Sequence, residues 1–170
     1  MKRLVLPILL VAALFVATGF AQNLTLGFTA SNTGAMNVDS LEQKRGFELW
    51  RDQVNAAGGI KAGGKSYKVQ FVSYDDESNP KRVQQLYSRL ILQDKADFLF
   101  SPYSSSLTAT AAIVTEQYEK IMLTTGAAEG KTYTLGNHYL FQMFTPSGIP
   151  EGGAGHAEDQ GPEGGDCVRV

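Results

Sequence analysis

This 170-residue sequence has very little cysteine and no large excess of one charge. Its single cysteine, Cys167, excludes an intrachain disulfide and any metal site built from several cysteines. Between Gln22 and Pro150, twelve Lys and Arg residues balance twelve Asp and Glu residues. This neutral body argues against nucleic acid as a partner, because phosphate binding needs a basic surface. The composition, 43% apolar and 19% charged, is that of a globular protein.

A long apolar run occurs only at the N-terminus. Lys2 and Arg3 precede an uncharged stretch from Leu4 to Phe20, and Gly19-Phe20-Ala21 has the small-x-small pattern that signal peptidase recognises. An apolar stretch of about seventeen residues would also suffice for an uncleaved membrane anchor. We favour export, and we expect residues 1–21 to be a signal peptide of a periplasmic or otherwise extracytoplasmic protein.

Strands and helices are predicted to alternate after Ala21, which favours a parallel α/β sheet with flanking helices. Asp39 or Ser40 is expected to cap the first helix, and Asn79 the second, with Pro80 at its first position. The second helix has an apolar stripe of Val83, Leu86, Tyr87, Leu90 and Ile91. The predicted strands are 23–29, 68–74, 97–103, 121–125 and 139–144, and the predicted helices begin near residues 40, 80 and 105.

Ligands of such sheets bind beyond the carboxyl ends of the strands. Here those ends are rich in hydroxyls and small residues, above all at 101–106 and 124–129, and no phosphate-binding glycine loop or hydrolase motif is present. We therefore expect a site for a small polar molecule. Ser104-Ser105-Ser106 fits either helix capping alone or the binding of a ligand carboxylate at a helix N-terminus.

Two other residue groups invite a chemical interpretation. Asp75-Asp76-Glu77 could suggest a cation site, but three successive acids cannot all face one ion, so a solvated loop is the preferred interpretation. The spacing of Ser105, His138 and Asp75 in the sequence does not support a catalytic triad. We expect neither a metal site nor a catalytic residue.

Four segments together resemble the leucine–isoleucine–valine-binding proteins, the extracytoplasmic substrate-binding components of amino-acid and amide ABC transporters. They are LTLGFTASNTG, NAAGGIKAGGKSYKVQFVSYDDESNP, FLFSPYSSSLTATAAIVTEQYEKIMLTTGAA and YLFQMFTP. The resemblance implies a type I periplasmic-binding fold, in which two α/β lobes close over the ligand, and it implies a membrane permease as partner.

The resemblance also assigns binding residues by position. Ser105 matches the serine that contacts the ligand carboxylate, and Ala127 and Ala128 match an Ala-Ala pair whose backbone holds the amino-acid head group. Tyr103 and Ser104 flank this site. Glu129 stands where the family often has Thr. The ligand implied is a branched-chain amino acid, an amide or a similar small solute, bound without a cofactor.

The resemblance ends near Pro146, so we expect residues 22–146 to form a partial N-terminal lobe of a truncated and impaired binding protein. Residues 147–170 are expected to be a disordered, non-family tail. Within Glu151–Val170, every residue except Cys167 can be encoded by a codon that begins with G or C, which suggests a frameshift near Ser147–Pro150. Without the later segments of such proteins, parts of Phe98, Phe100 and Phe141 are expected to lack cover.

The leading hypothesis is thus a solute-binding component of an ABC transporter. A sensory receptor for amides or amino acids on the same fold is the alternative, and a serine hydrolase is a weaker one.

Overall fold

The computed structural model describes residues 22–133, 136–143 and 145. The predicted signal peptide and the predicted tail lie outside these residues. In chain order the elements are β1 Gln22–Ala30, α1 Asn37–Ala56, β2 Ile60–Ala62, β3 Lys65–Asp75, α2 Pro80–Leu92, β4 Phe98–Phe100, α3 Ser105–Gln117, β5 Met122–Thr124, a 3₁₀ turn Gly130–Tyr133, and β6 Leu140–Gln142.

The strands of the described residues form one sheet in the order β2-β3-β1-β4-β5-β6. All neighbouring strands are parallel except β2 and β3. The predicted α/β sheet with flanking helices is confirmed, with one antiparallel edge strand added. Because β3, β1, β4, β5 and β6 are parallel, their carboxyl ends lie along one edge of the sheet.

The antiparallel strand β2 is a feature that the sequence analysis missed. It pairs with β3 through Ala62 and Lys65, so Gly63 and Gly64 form a two-residue turn, both with positive φ. Two consecutive glycines between short apolar segments are a hairpin signal, because such turns need positive φ at both positions. The signal was present at 63–64, and the predicted strand began three residues too late at Lys68.

Helices α2 and α3 pack on one face of the sheet. The Asn79 side chain accepts hydrogen bonds from the amides of Lys81 and Arg82 at 2.9 and 3.3 Å, and Pro80 follows at the first helical position, as predicted. The stripe of α2 is buried against Leu99 and Met122, except for the half-buried Leu86.

Helix α1 packs on the opposite face, where Phe47 contacts an aromatic cluster of Phe28, Phe71 and Phe100. The predicted start of this helix was wrong. It begins at Asn37 without a side-chain cap, and the Ser40 hydroxyl instead accepts a hydrogen bond from the Ser31 amide at 2.8 Å. That bond fixes the helix to the end of β1.

The α1 face of the sheet is covered unevenly. Phe100 is only 7% exposed, because its ring stacks on Phe47 with centroids 4.4 Å apart, so the expectation that it lacks cover is wrong. Phe98 is half-buried, whereas Phe141 on β6 is 45% exposed, as expected. The difference follows from position: α1 lies over the central strands and β6 is two strands beyond β4.

Candidate functional site

The loops after β4 and β5 meet at the carboxyl edge of the sheet because these two strands pair. The amide of Thr125 donates to the hydroxyl of Ser101 at 3.3 Å, and the amide of Glu129 donates to the hydroxyl of Ser105 at 3.1 Å. The structure therefore brings together the two segments that the sequence analysis singled out, 101–106 and 124–129.

Gln43 of α1 joins these two loops from the side. Its Nε2 donates to the Thr125 hydroxyl at 2.6 Å and to the Ser101 carbonyl at 3.3 Å. The sequence analysis did not single out Gln43. Nothing in the local sequence distinguishes it from the other polar residues of α1, because its partners lie 58 and 82 residues away.

The serines of the run 104–106 make different hydrogen bonds. Ser104 caps α3, since its hydroxyl accepts from the Leu107 amide at 3.3 Å, and its φ is +83°. The hydroxyls of Ser104 and Ser106 lie 3.2 Å apart. Ser105 is the first helical residue, and its hydroxyl bridges to Glu129 rather than capping the helix.

The amides at the start of α3 suit an anion. The first amides of any α-helix have no acceptor within the helix, and the helix dipole places partial positive charge there. In α3 these include the amides of Ser105 and Ser106, at the edge of the sheet where the β4 and β5 loops meet.

Ala127 and Ala128 differ in their surroundings. Ala127 is fully buried, and its carbonyl accepts a 2.6 Å hydrogen bond from the hydroxyl of Tyr133. The same hydroxyl lies 2.8 Å from that of Thr124, at the end of β5. Ala128 is half-buried. The buried bond fixes the orientation of the peptide that joins the two alanines, so Tyr133 and Thr124 control this part of the loop.

Tyr103 lies between α1 and the β5 loop. Burial and the negative charge of Asp39 raise the pKa of Tyr103 above its ordinary value. A Cβ atom added to Gly126 would stand 3.2 Å from both the Tyr103 ring and the Gln43 amide group. The absence of a side chain at Gly126 therefore lets these groups pack closely.

The acidic run is not the solvated loop that the sequence predicted. Asp76 is fully buried and accepts hydrogen bonds from Thr29 and Ser31, whereas Glu77 is exposed. Asp75 is half-buried. Burial alone would raise its pKa, but hydrogen bonds from the Glu77 amide and from Thr33 outweigh burial and lower it. The local sequence does not reveal the burial of Asp76, because the two hydroxyls that it accepts from lie in β1 and directly after it.

The residues of the hydrolase alternative do not form a triad. The Ser105 hydroxyl accepts from Glu129, and the His138 Nδ1 lies 3.7 Å from a carboxylate oxygen of Glu116. Asp75 accepts a hydrogen bond from the Thr33 hydroxyl at 2.9 Å. His138 precedes β6 and so lies near the amino edge of the sheet, while Ser105 lies at the carboxyl edge.

A concavity of about 570 Å³ lies near the amino ends of β5 and β6, away from the loops described above. Its lining residues are Glu116, Glu119, Ile121, His138, Tyr139 and Phe141. Among the described residues, no group of three or more His, Cys, Asp or Glu side chains could hold a metal ion. No helix of the described ranges is both long and apolar enough to cross a bilayer.

The sequence profile of the periplasmic binding proteins matches residues 23–164 of this chain. The chain belongs to the periplasmic binding protein family. An amino acid binding protein of Pseudomonas aeruginosa is 26% identical over 142 residues, which cover 84% of this chain and 37% of that relative. The predicted boundaries between signal peptide, lobe and tail stay predictions.

Solved structures of periplasmic binding proteins share the fold. The branched-chain amino acid binding protein LivJ of Streptococcus pneumoniae, in complex with isoleucine, is similar with a TM-score of 0.66 and 24% identity. The match covers 74% of this chain and 34% of LivJ. A solute binding protein of Rhodopseudomonas palustris, in complex with 3,4-dihydroxybenzoic acid, gives a TM-score of 0.62 at 17% identity, covering 73% and 32%. This chain thus spans about a third of the length of each.

Proposed function

We propose that this chain forms one wall of the ligand cleft of an extracytoplasmic solute-binding protein that serves an ABC transporter. The observation that supports it most directly is the hydrogen bond between Ser105 and Glu129. It joins the N-terminus of α3 to the β5 loop at the carboxyl edge of the sheet, where ligands of parallel α/β folds bind.

The ligand is expected to place a carboxylate at the start of α3. There it would accept hydrogen bonds from the amides of Ser105 and Ser106 and gain from the helix dipole. A serine hydroxyl that accepts one hydrogen bond still carries a hydrogen to donate. Ser105, which accepts from Glu129, is therefore suited to donate to a carboxylate oxygen.

The β5 loop is expected to hold the rest of the head group. Its small residues Gly126, Ala127 and Ala128 allow a ligand to approach the backbone closely. The side chain of Glu129 is exposed beside Ser105 and adds a negative charge at this position. A zwitterionic head group, with a carboxylate at α3 and an ammonium group nearer Glu129, matches this distribution of charge.

We therefore propose a branched-chain amino acid as the ligand, with a short amide or a similar small solute as the next candidate. The isoleucine and the dihydroxybenzoic acid bound by the two structurally similar proteins share a carboxyl group. That common group supports a carboxylate subsite in this fold and leaves the side-chain preference to be measured.

Export by the signal peptide of residues 1–21, binding without catalysis, and delivery of the solute to a membrane permease complete the proposal. Because this chain spans about a third of its relatives, it supplies only part of an enclosing cleft. Affinity depends on enclosure and on exclusion of water, so we expect the 170-residue chain alone to bind weakly.

Weak binding is measurable by NMR titration of the chain with isoleucine, observed through backbone amide shifts. We expect shifts in 104–107 and 127–129, and none with isoleucinol, which lacks the carboxylate. Ser105→Ala should raise the dissociation constant about tenfold or more, because it removes one hydrogen bond to a charged group.

Ser88→Ala is the matched control. Its hydroxyl donates to the Gln84 carbonyl on the exposed side of α2, away from the carboxyl ends of the strands. We expect it to leave the titration unchanged. Equal shifts with isoleucine and isoleucinol, or an unchanged dissociation constant for Ser105→Ala, would contradict the proposed carboxylate subsite.

A further inference from the structure

Three hydrogen-bond donors converge on the buried carboxylate of Asp76. Its Oδ2 accepts from the Thr29 hydroxyl at 2.6 Å, and its Oδ1 accepts from the Ser31 hydroxyl at 2.6 Å and from the Ser78 amide at 2.9 Å. Thr29 and Ser31 are 2% and 1% exposed, and Asp76 is 0% exposed. A charged group removed from water in this way is retained only where its hydrogen bonds are satisfied.

A separate buried hydrogen bond holds the end of β4. Tyr87 of α2 is fully buried, and its hydroxyl donates to the carbonyl of Phe100 at 2.6 Å. Burial and the negative charge of Asp76 raise the pKa of Tyr87 well above its ordinary value. The neighbouring strands β1 and β4 thus each have a buried side-chain hydrogen bond at or near their carboxyl ends.

Both strand ends lead to the loops of the candidate site. Phe100 is the last residue of β4, and Ser101, which follows it, accepts a hydrogen bond from Thr125 of the β5 loop. On the other side, the Ser31 amide donates to the Ser40 hydroxyl of α1, the helix that also carries Gln43.

We propose that Asp76 is a positioning residue, which fixes the end of β1 through Thr29 and Ser31, and with it the paired strand β4, and so places the loops 101–107 and 124–129. That these loops receive a ligand rests on the proposed function. Asp76 does not reach them itself. It acts because a satisfied, buried hydrogen-bond network permits one arrangement of the groups that share it.

Hydrogen exchange at residue resolution tests this on the complete chain. Asp76→Asn keeps the size of the side chain and removes its charge. The exchange rate of the amides in the two loops is divided by the exchange rate of the α2 amides from Ser88 to Ile91. An equal acceleration of both sets then leaves this ratio unchanged. We expect this ratio to rise about tenfold or more, the effect of losing a hydrogen bond to a charged group.

Asp97→Asn is the matched control. The Asp97 Oδ2 accepts from the Thr25 amide at 2.8 Å, so this carboxylate also joins the start of β4 to β1, at the opposite edge of the sheet. Its substitution should leave the ratio unchanged. Thr29→Val, which removes the hydroxyl, should reproduce the effect of Asp76→Asn, and Thr29→Ser, which keeps it, should not.

Uniform acceleration of exchange across the sheet in Asp76→Asn would overturn the proposal, as would a wild-type ratio in Thr29→Val. A wild-type chain without slow exchange in α2 would overturn it as well, because the network would then not form. The readout needs no ligand. If isoleucine fails to bind but the loop ratio rises as expected, the proposed function fails and the positioning role of Asp76 stands.

Discussion

Removal of one hydroxyl group, in Tyr133→Phe, should destabilise the protein measurably. Tyr133 is 3% exposed, and its hydroxyl donates to the carbonyl of the fully buried Ala127. Phenylalanine fills the same space but leaves this carbonyl without a donor in the interior. The substitution also removes the Tyr133 hydroxyl as a partner of Thr124, but the Thr124 hydroxyl can still donate to the carbonyl of Phe141 at 3.4 Å. Most of the lost stability is therefore expected to come from the Ala127 carbonyl. An unsatisfied buried group costs about 1–3 kcal/mol.

Urea unfolding followed by tryptophan fluorescence measures this cost. Trp50 is the only tryptophan of the chain, and its ring packs against Phe71 and Phe100 at centroid distances of 6.5 and 5.9 Å. It therefore reports on the core of the sheet. The free energy of unfolding of Tyr133→Phe should fall by about 2 kcal/mol, with an unchanged denaturant slope.

Tyr74→Phe serves as the control, because the hydroxyl of Tyr74 donates to the Asp94 carboxylate at 3.0 Å on a half-buried surface. Water replaces that partner, so we expect a loss of about 0.5–1 kcal/mol. If Tyr133→Phe costs no more than Tyr74→Phe, the buried bond to Ala127 does not hold the β5 loop, and the structural argument for this loop is refuted.

Two further predictions concern α2. Asn79→Ala should lower the free energy of unfolding by about 1 kcal/mol in urea, because the amides of Lys81 and Arg82 lose their cap; an unchanged midpoint would contradict this. Above about pH 10 the stability should decline, because burial raises the pKa of Tyr87 in the folded state and the unfolded state releases its proton first. Urea unfolding curves at pH 8 and 10.5 test this. Between these two pH values, the free energy of unfolding should fall less in Tyr87→Phe than in the wild-type chain.

Features set by neighbouring residues were predictable from the sequence. The Asn79-Pro80 start of α2 and its buried stripe were correct, because a cap, an imino acid at the first position and helical spacing all act within one or two turns. The start of α1 was wrong for the opposite reason. Ser40 is a good capping residue, but the Ser31 amide, outside the helix, occupies its hydroxyl.

The candidate site shows the same division between local and distant causes. That the loops 101–106 and 124–129 would meet follows from the parallel strand order, which the alternation of strands and helices indicated. Which side chains support these loops does not follow, since the partners of Gln43 and the two hydroxyl groups that donate to Asp76 lie 45 or more residues away in the sequence. Asp76 between Asp75 and Glu77 has the composition of a solvated loop, but the hydroxyls of Thr29 and Ser31 and the amide of Ser78 satisfy its carboxylate in the interior. The exposure of a polar run that follows a strand therefore depends on the neighbouring strand, because hydroxyls near the end of that strand, here those of Thr29 and Ser31, bury one of its acids.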